Sequence, residues 1–124
     1  MKPRISESEL EVMRVLWRAG QPLSYSEIRT ELERTTEWSK STIQTLVGRL
    51  RDKGFVTARR RHVTLYTPNV SEQEYAAAEG KSLLNKVFDG SAKRLVAALY
   101  QSGDLTDSDI DDLRQFFTVG GDES

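Results

Sequence analysis

Between residues 39 and 70 the chain carries seven cationic side chains, Lys40, Arg49, Arg51, Lys53, Arg59, Arg60 and Arg61, against one acid, Asp52. Cations at that density neutralise phosphates and steer a polyanion toward the surface that bears them. A charge cluster is also what an ordinary solvated face looks like, so its meaning depends on where folding puts it. Other chemistry is sparse. The absence of cysteine excludes disulfides, thiol catalysis, zinc fingers and iron–sulfur clusters. His62 is the sole histidine, too little for a catalytic triad or a histidine metal site. With no nucleophile–base pair and no ligand cluster, the sequence reads as a non-enzyme without metal or cofactor.

The elements that must position those cations are marked by strong punctuation. Ser6-Glu7-Ser8-Glu9 is a capping box, with Ile5 and Leu10 at the positions of a hydrophobic staple. It predicts a helix to about Trp17 or Arg18, with Leu10, Met13, Leu16 and Trp17 inward and Gly20 and Pro22 ending it. Ser24-Tyr25-Ser26-Glu27 repeats the box and opens a shorter helix with Ile28 and Leu32 inward. Ser39 caps a third helix whose apolar positions Ile43, Leu46, Val47 and Leu50 share one face, and Gly54 stops it. From Phe55 to Pro68 the β-branched and aromatic residues fit no helical stripe and predict two short strands around Arg60-Arg61-His62, a hairpin tip carrying Arg59, Arg60 and Arg61. Three helices and a hairpin make a winged helix-turn-helix.

After residue 71 the pattern is helical throughout. Ser71-Glu72-Gln73-Glu74 caps a helix to about Phe88 carrying Leu83, Leu84 and Val87. Gly90 breaks it. Ala92, Leu95, Val96 and Leu99 form a second stripe that ends at Gly103. Thr106-x-x-Asp109 caps a last helix to about Val119, with Ile110, Leu113, Phe116 and Phe117 inward and Gly120 to Ser124 as a frayed tail. The expected architecture is mainly α: a winged-helix domain over 1–70 and a helical dimerisation domain over 71–124. About fifty residues of short helix form a thin independent core once ~1–2 kcal/mol of backbone entropy per residue is set against burial. The stripes therefore call for a cover, either residues 1–70 or a second copy of the chain, and a two-fold dimer is favoured.

Charge divides along the same line. Residues 1–70 hold thirteen Lys and Arg against eight Asp and Glu, whereas residues 71–124 hold five against eleven. If Ile43, Leu46, Val47 and Leu50 face the core, the third helix presents Lys40, Ser41, Gln44, Thr45, Gly48 and Arg51 outward, with Thr42 and Arg49 on its flanks. A helix that enters a major groove needs this mixture: small residues for close approach, amide and hydroxyl groups for base edges, cations for phosphate. Gly48 costs a helix interior roughly 1 kcal/mol against alanine, a cost easier to understand if close approach is wanted there. The hairpin arginines add a second phosphate-binding element beside it, in or along the minor groove.

Ile5-Ser6-Glu7-Ser8-Glu9-Leu10-Glu11-Val12-Met13, Trp17, Trp38-Ser39-x-Ser41-Thr42-Ile43-Gln44-Thr45-Leu46-x-x-Arg49-Leu50-x-x-Lys53-Gly54-Phe55 and Tyr66-Thr67-Pro68-Asn69 resemble the penicillinase-repressor (BlaI/MecI/CopY) family of transcriptional repressors. The resemblance runs over nearly the whole chain. It implies a homodimeric winged-helix repressor on an inverted-repeat operator of double-stranded DNA. It implies Thr42 and Gln44 as base readers, and Ser39, Lys40, Ser41, Thr45 and Arg49 along the phosphates. In antibiotic-responsive members a membrane-bound sensor protease cuts the dimerisation half at an Asn-Phe bond. This chain has Val96-Ala97-Ala98-Leu99 there, with the replacement near Ala98-Leu99. The cysteine-rich copper motif of other members is absent, and the wing turn carries Arg60-Arg61-His62 where members often have glycine.

Two other readings fit the same residues. One is a small-ligand-responsive winged-helix regulator with a pocket lined by Tyr75, Phe88 and Tyr100. The other is a winged helix serving as a protein-interaction module for an acidic partner. With no leader-like apolar stretch after Met1-Lys2-Pro3-Arg4 and no run long enough to insert into a membrane, the expected location is the cytoplasm.

Overall fold

The computed structural model describes residues 4–122, with side chains as far as residue 118. The order of elements is α1 (Glu7–Ala19), β1 (Leu23–Ser24), α2 (Tyr25–Thr35), α3 (Lys40–Asp52), β2 (Val56–Arg60), β3 (Thr64–Pro68), α4 (Glu72–Val87), α5 (Ala92–Ser102) and α6 (Asp107–Asp122). The fold is mainly α, a winged helix followed by three further helices.

The expected caps form as reciprocal pairs. Ser6 Oγ accepts from Glu9 N–H at 3.1 Å while Ser6 N–H donates to Glu9 Oε1 at 2.7 Å. The Ser24–Glu27, Ser71–Glu74 and Thr106–Asp109 pairs repeat the arrangement. Each satisfies N–H groups that the first helical turn leaves open. Gly20 and Gly103 close α1 and α5 in the left-handed region, where a side chain would be strained. α6 continues to Asp122, past the expected end at Val119; residues 123 and 124 of the expected frayed tail, like residues 1–3, lie outside the described part.

The chain separates into two compact units, Met1–Ala76 and Ala77–Ser124. In the first, Val12, Met13, Leu16, Leu23, Ile28, Leu32, Ile43, Leu46, Val47, Leu50, Phe55 and Val56 make one buried core. The inward face of α1 differs from the expected stripe. Val12 is buried, Leu10 and Trp17 are half-buried, and Glu9 is buried as a charge. Tyr75, in the first turn of α4, belongs to the first unit and sets its ring 5.8 Å from Trp17 and 6.5 Å from Phe55. Trp17 Nε1–H also donates to the carbonyl of Val70 at 2.8 Å.

The sheet has an unexpected third strand. β3 lies between β1 and β2, antiparallel to both, with Leu23 opposite Tyr66 and Arg59 opposite Leu65. In the second unit none of the described residues from 77 to 118 is fully buried. Phe116 and Phe117 pack edge to face on each other, yet stay 71% and 66% exposed.

Candidate nucleic-acid interface

α3 is held from three sides before any ligand arrives. Its inward residues Ile43 and Leu50 are wholly buried, and Leu46 and Val47 nearly so, as the spacing predicts. At its N-terminus Ser39 Oγ accepts from Thr42 N–H at 3.2 Å. The same hydroxyl bonds the Thr42 and Ser41 hydroxyls at 2.9 and 3.1 Å. From α2, Tyr25 Oη–H donates to the carbonyl of Lys40 at 2.8 Å. The sequence shows no sign of this last contact, because Tyr25 occupies an unremarkable first-turn position. The connecting turn is tightened by Thr36, whose hydroxyl returns to the carbonyl of Leu32 at 2.8 Å.

The opposite face of α3 is open. Lys40, Ser41, Thr42, Gln44, Thr45, Arg49 and Arg51 are exposed, and Gly48 is half-buried. At the helical repeat, Ser41, Thr45 and Gly48 run down the middle of that face. Gln44 and Arg51 form one edge, Thr42 and Arg49 the other. Ser41, Thr42, Thr45, Leu46 and Arg49 line a shallow hollow of about 280 Å³, with hydroxyls and a guanidinium around an apolar floor. A Cβ built on Gly48 meets nothing within 4 Å, so internal packing does not demand glycine there.

The wing lies beside this face in sequence, and its arginines are not all at the tip. Arg59 and Arg60 are strand residues of β2, opposite Leu65 and Thr64, so their side chains leave on alternate faces. Arg61 and His62 belong to the turn, which Arg61 N–H closes on the carbonyl of Val63 at 2.9 Å. All three arginines are exposed. The base of the wing is fastened by Asn69. Its Nδ2 donates to the carbonyl of Gly54 at 3.0 Å, and its Oδ1 accepts from the Thr57 hydroxyl at 2.6 Å.

Two cations of the segment are engaged within the fold. Arg51 Nε stands 3.5 Å from Asp52 Oδ1, at the surface. Lys53, half-buried, has its ammonium paired within the fold. Its Nζ lies 2.7 Å from Glu9 Oε1 and donates to the carbonyl of Arg4 at 2.8 Å. Burial pushes the Glu9 carboxyl up, but its bonds from Lys53 and Ser6 and the charge of Lys53 outweigh that and hold it below the usual glutamate value.

The residues expected at a dimer contact are all in the second unit. Leu83, Val87, Val96, Leu99, Leu113, Phe116 and Phe117 are exposed, and Leu84, Leu95 and Ile110 are half-buried. Of the aromatics considered for a ligand pocket, Tyr75 is engaged with Trp17 and Phe55 in the first unit. Tyr100 donates to Asp107 Oδ1 at 2.7 Å. It lines an apolar hollow of about 450 Å³ with Ala92, Lys93, Val96, Ala97 and Ile110. Among the described residues no cluster of His, Asp or Glu is suited to a metal ion, and no helix is long and apolar enough to cross a membrane.

Comparison with known proteins gives one consistent result. The profile described as "Penicillinase repressor" matches residues 5–118. The "Penicillinase repressor" of Bacillus licheniformis is 35% identical over 114 residues, which is 91% of this chain and 88% of that one. The "Methicillin resistance regulatory protein MecI" of Staphylococcus aureus (strain N315) is 32% identical over 111 residues, 89% of each chain. The solution structure of monomeric Bacillus licheniformis BlaI in complex with the blaP half-operator superposes with a TM-score of 0.54 at 41% identity. It covers 60% of this chain and 92% of that one.

Proposed function

The chain belongs to the penicillinase-repressor family, and on that premise we propose that it represses transcription as a homodimer seated on an inverted-repeat operator of double-stranded DNA. The observation that carries this reading is the two-sidedness of α3. Ile43, Leu46, Val47 and Leu50 are sealed in the core, and the other side offers Lys40, Ser41, Gln44, Thr45 and Arg49 to solvent with no acid before Asp52. In this proposal Gln44 and Thr42 meet base edges from the two edges of the helix. Ser39, Lys40, Ser41, Thr45, Arg49 and Arg51 hold the flanking phosphates, and Arg59, Arg60 and Arg61 extend the contact along the backbone. Two recognition helices about 34 Å apart would occupy successive turns of the duplex and exclude polymerase from the promoter.

The second copy is proposed to pack on the apolar residues of α4, α5 and α6, since a single unit leaves Val87, Phe116 and Phe117 more than half exposed. Action on DNA puts the proposed site of work in the cytoplasm. A membrane-bound sensor protease is one proposed source of release; the Asn-Phe bond cut in antibiotic-responsive members is replaced here by Val96-Ala97-Ala98-Leu99, so no cleavage bond is assigned.

Fluorescence anisotropy with a selected inverted-repeat duplex and a scrambled one, titrated over salt, tests the reading. The expected result is tight, two-copy binding to the repeat, with a steep salt dependence on both duplexes. Absence of binding to either duplex at low salt would overturn it and favour a protein-interaction module.

A further inference from the structure

Lys53 looks like one more phosphate ligand in the sequence and is not used as one in the fold. Its ammonium is committed at 2.7 Å to Glu9 Oε1, and Glu9 is only 2% exposed. The same Oε1 accepts from Ser6 N–H at 2.7 Å. One oxygen thus completes the N-terminal cap of α1 and holds the residue that caps the C-terminus of α3. Lys53 is that C-cap, its own N–H donating to the carbonyl of Arg49 at 2.9 Å. The chain then turns through Gly54, at φ +84°, into Phe55 and the wing.

The carboxylate is buried and the lysine half-buried, and an ion pair with a buried partner tolerates few geometries, which suits it to fixing an arrangement. This pair bears an extra cost, because Glu9 Oε2 is buried without a hydrogen-bond partner. A contact that joins the start of α1 to the end of α3 is suited to setting the angle of α3. We propose that Lys53 and Glu9 are positioning residues for base recognition: their pair fixes the C-terminal end of α3 and the entry to the wing, and so aims Gln44 and the wing arginines together. The inference rests on the DNA-binding reading above. It concerns the source of the preference for operator over random duplex, not the affinity for phosphate.

The test compares Glu9→Gln, Lys53→Met, the double variant and Lys53→Arg in the full-length chain, at a temperature where circular dichroism shows each folded. Glutamine at position 9 keeps the capping box, so Glu9→Gln removes the charge pair alone. Each single charge-removing variant is expected to lose about tenfold in operator affinity, with random-duplex binding and the salt slope unchanged. The double variant should lose no more than either single one, and Lys53→Arg should retain the operator preference. If Lys53→Met does not fold, Glu9→Gln reads the same coupling. Equal loss on both duplexes with a shallower salt slope would make Lys53 a phosphate contact and overturn the inference. A lowered melting temperature with intact operator preference would make the pair merely structural and overturn it too. Failure of the wild-type chain to bind any duplex would instead remove the DNA-binding reading itself, and this inference with it.

Discussion

Gln44 stands on the open edge of α3, one residue from the buried Ile43, with its amide in solvent. An amide there can pair with two groups on an adenine edge at once, which a phosphate contact cannot imitate. Gln44→Ala is therefore expected to cost about 1–3 kcal/mol on the operator and almost nothing on random duplex. Anisotropy titrations on both duplexes check this, and equal losses would contradict base reading by that side chain. Glu9 carries a second prediction. Its carboxyl is held low in the folded chain, so its contribution to stability is complete above the ordinary glutamate value and fades as pH falls through that value and below. Melting temperatures of the wild type and Glu9→Gln should differ most near neutrality and converge in acid. At this scale the sequence was partly legible. The capping role of Glu9 is written within four residues, but its partner lies forty-four residues away, and charge counting put Lys53 with the wrong neighbours.

The wing and the recognition helix act at the scale of elements. Changing Arg59, Arg60 and Arg61 together to Gln is expected to weaken binding to every duplex and flatten the salt slope by about 0.9 for each phosphate no longer neutralised. An unchanged slope would remove the wing from the DNA-binding surface. Gly54 is the joint between the two elements, and the space around it is open, so only its backbone conformation demands glycine. Gly54→Ala should cost about 1–2 kcal/mol of stability, measured by thermal unfolding. Helices and hairpin were readable because capping boxes, glycine stops and apolar spacing are local signals. β1 was not, since Leu23-Ser24 is a strand only through its pairing with Leu65 and Tyr66. The arginine cluster was visible, but its split between strand and turn depended on where β2 ended.

For the whole molecule, the apolar stripes of α4, α5 and α6 are plain in the sequence, and what covers them is not, because a stripe records burial without recording the partner. Leu99→Asp is expected to yield monomers by sedimentation and to cut operator affinity sharply; intact dimers would move the interface elsewhere. Both tryptophans, Trp17 and Trp38, belong to the first unit, each partly buried against its core. The chain thus carries an optical asymmetry of its own. Tryptophan emission during denaturation follows only residues 1–76, whereas far-ultraviolet dichroism sums every helix, α5 and α6 included. If protomer association holds the second unit together, diluting the protein should pull the dichroism curve toward lower denaturant while the emission curve stays where it is.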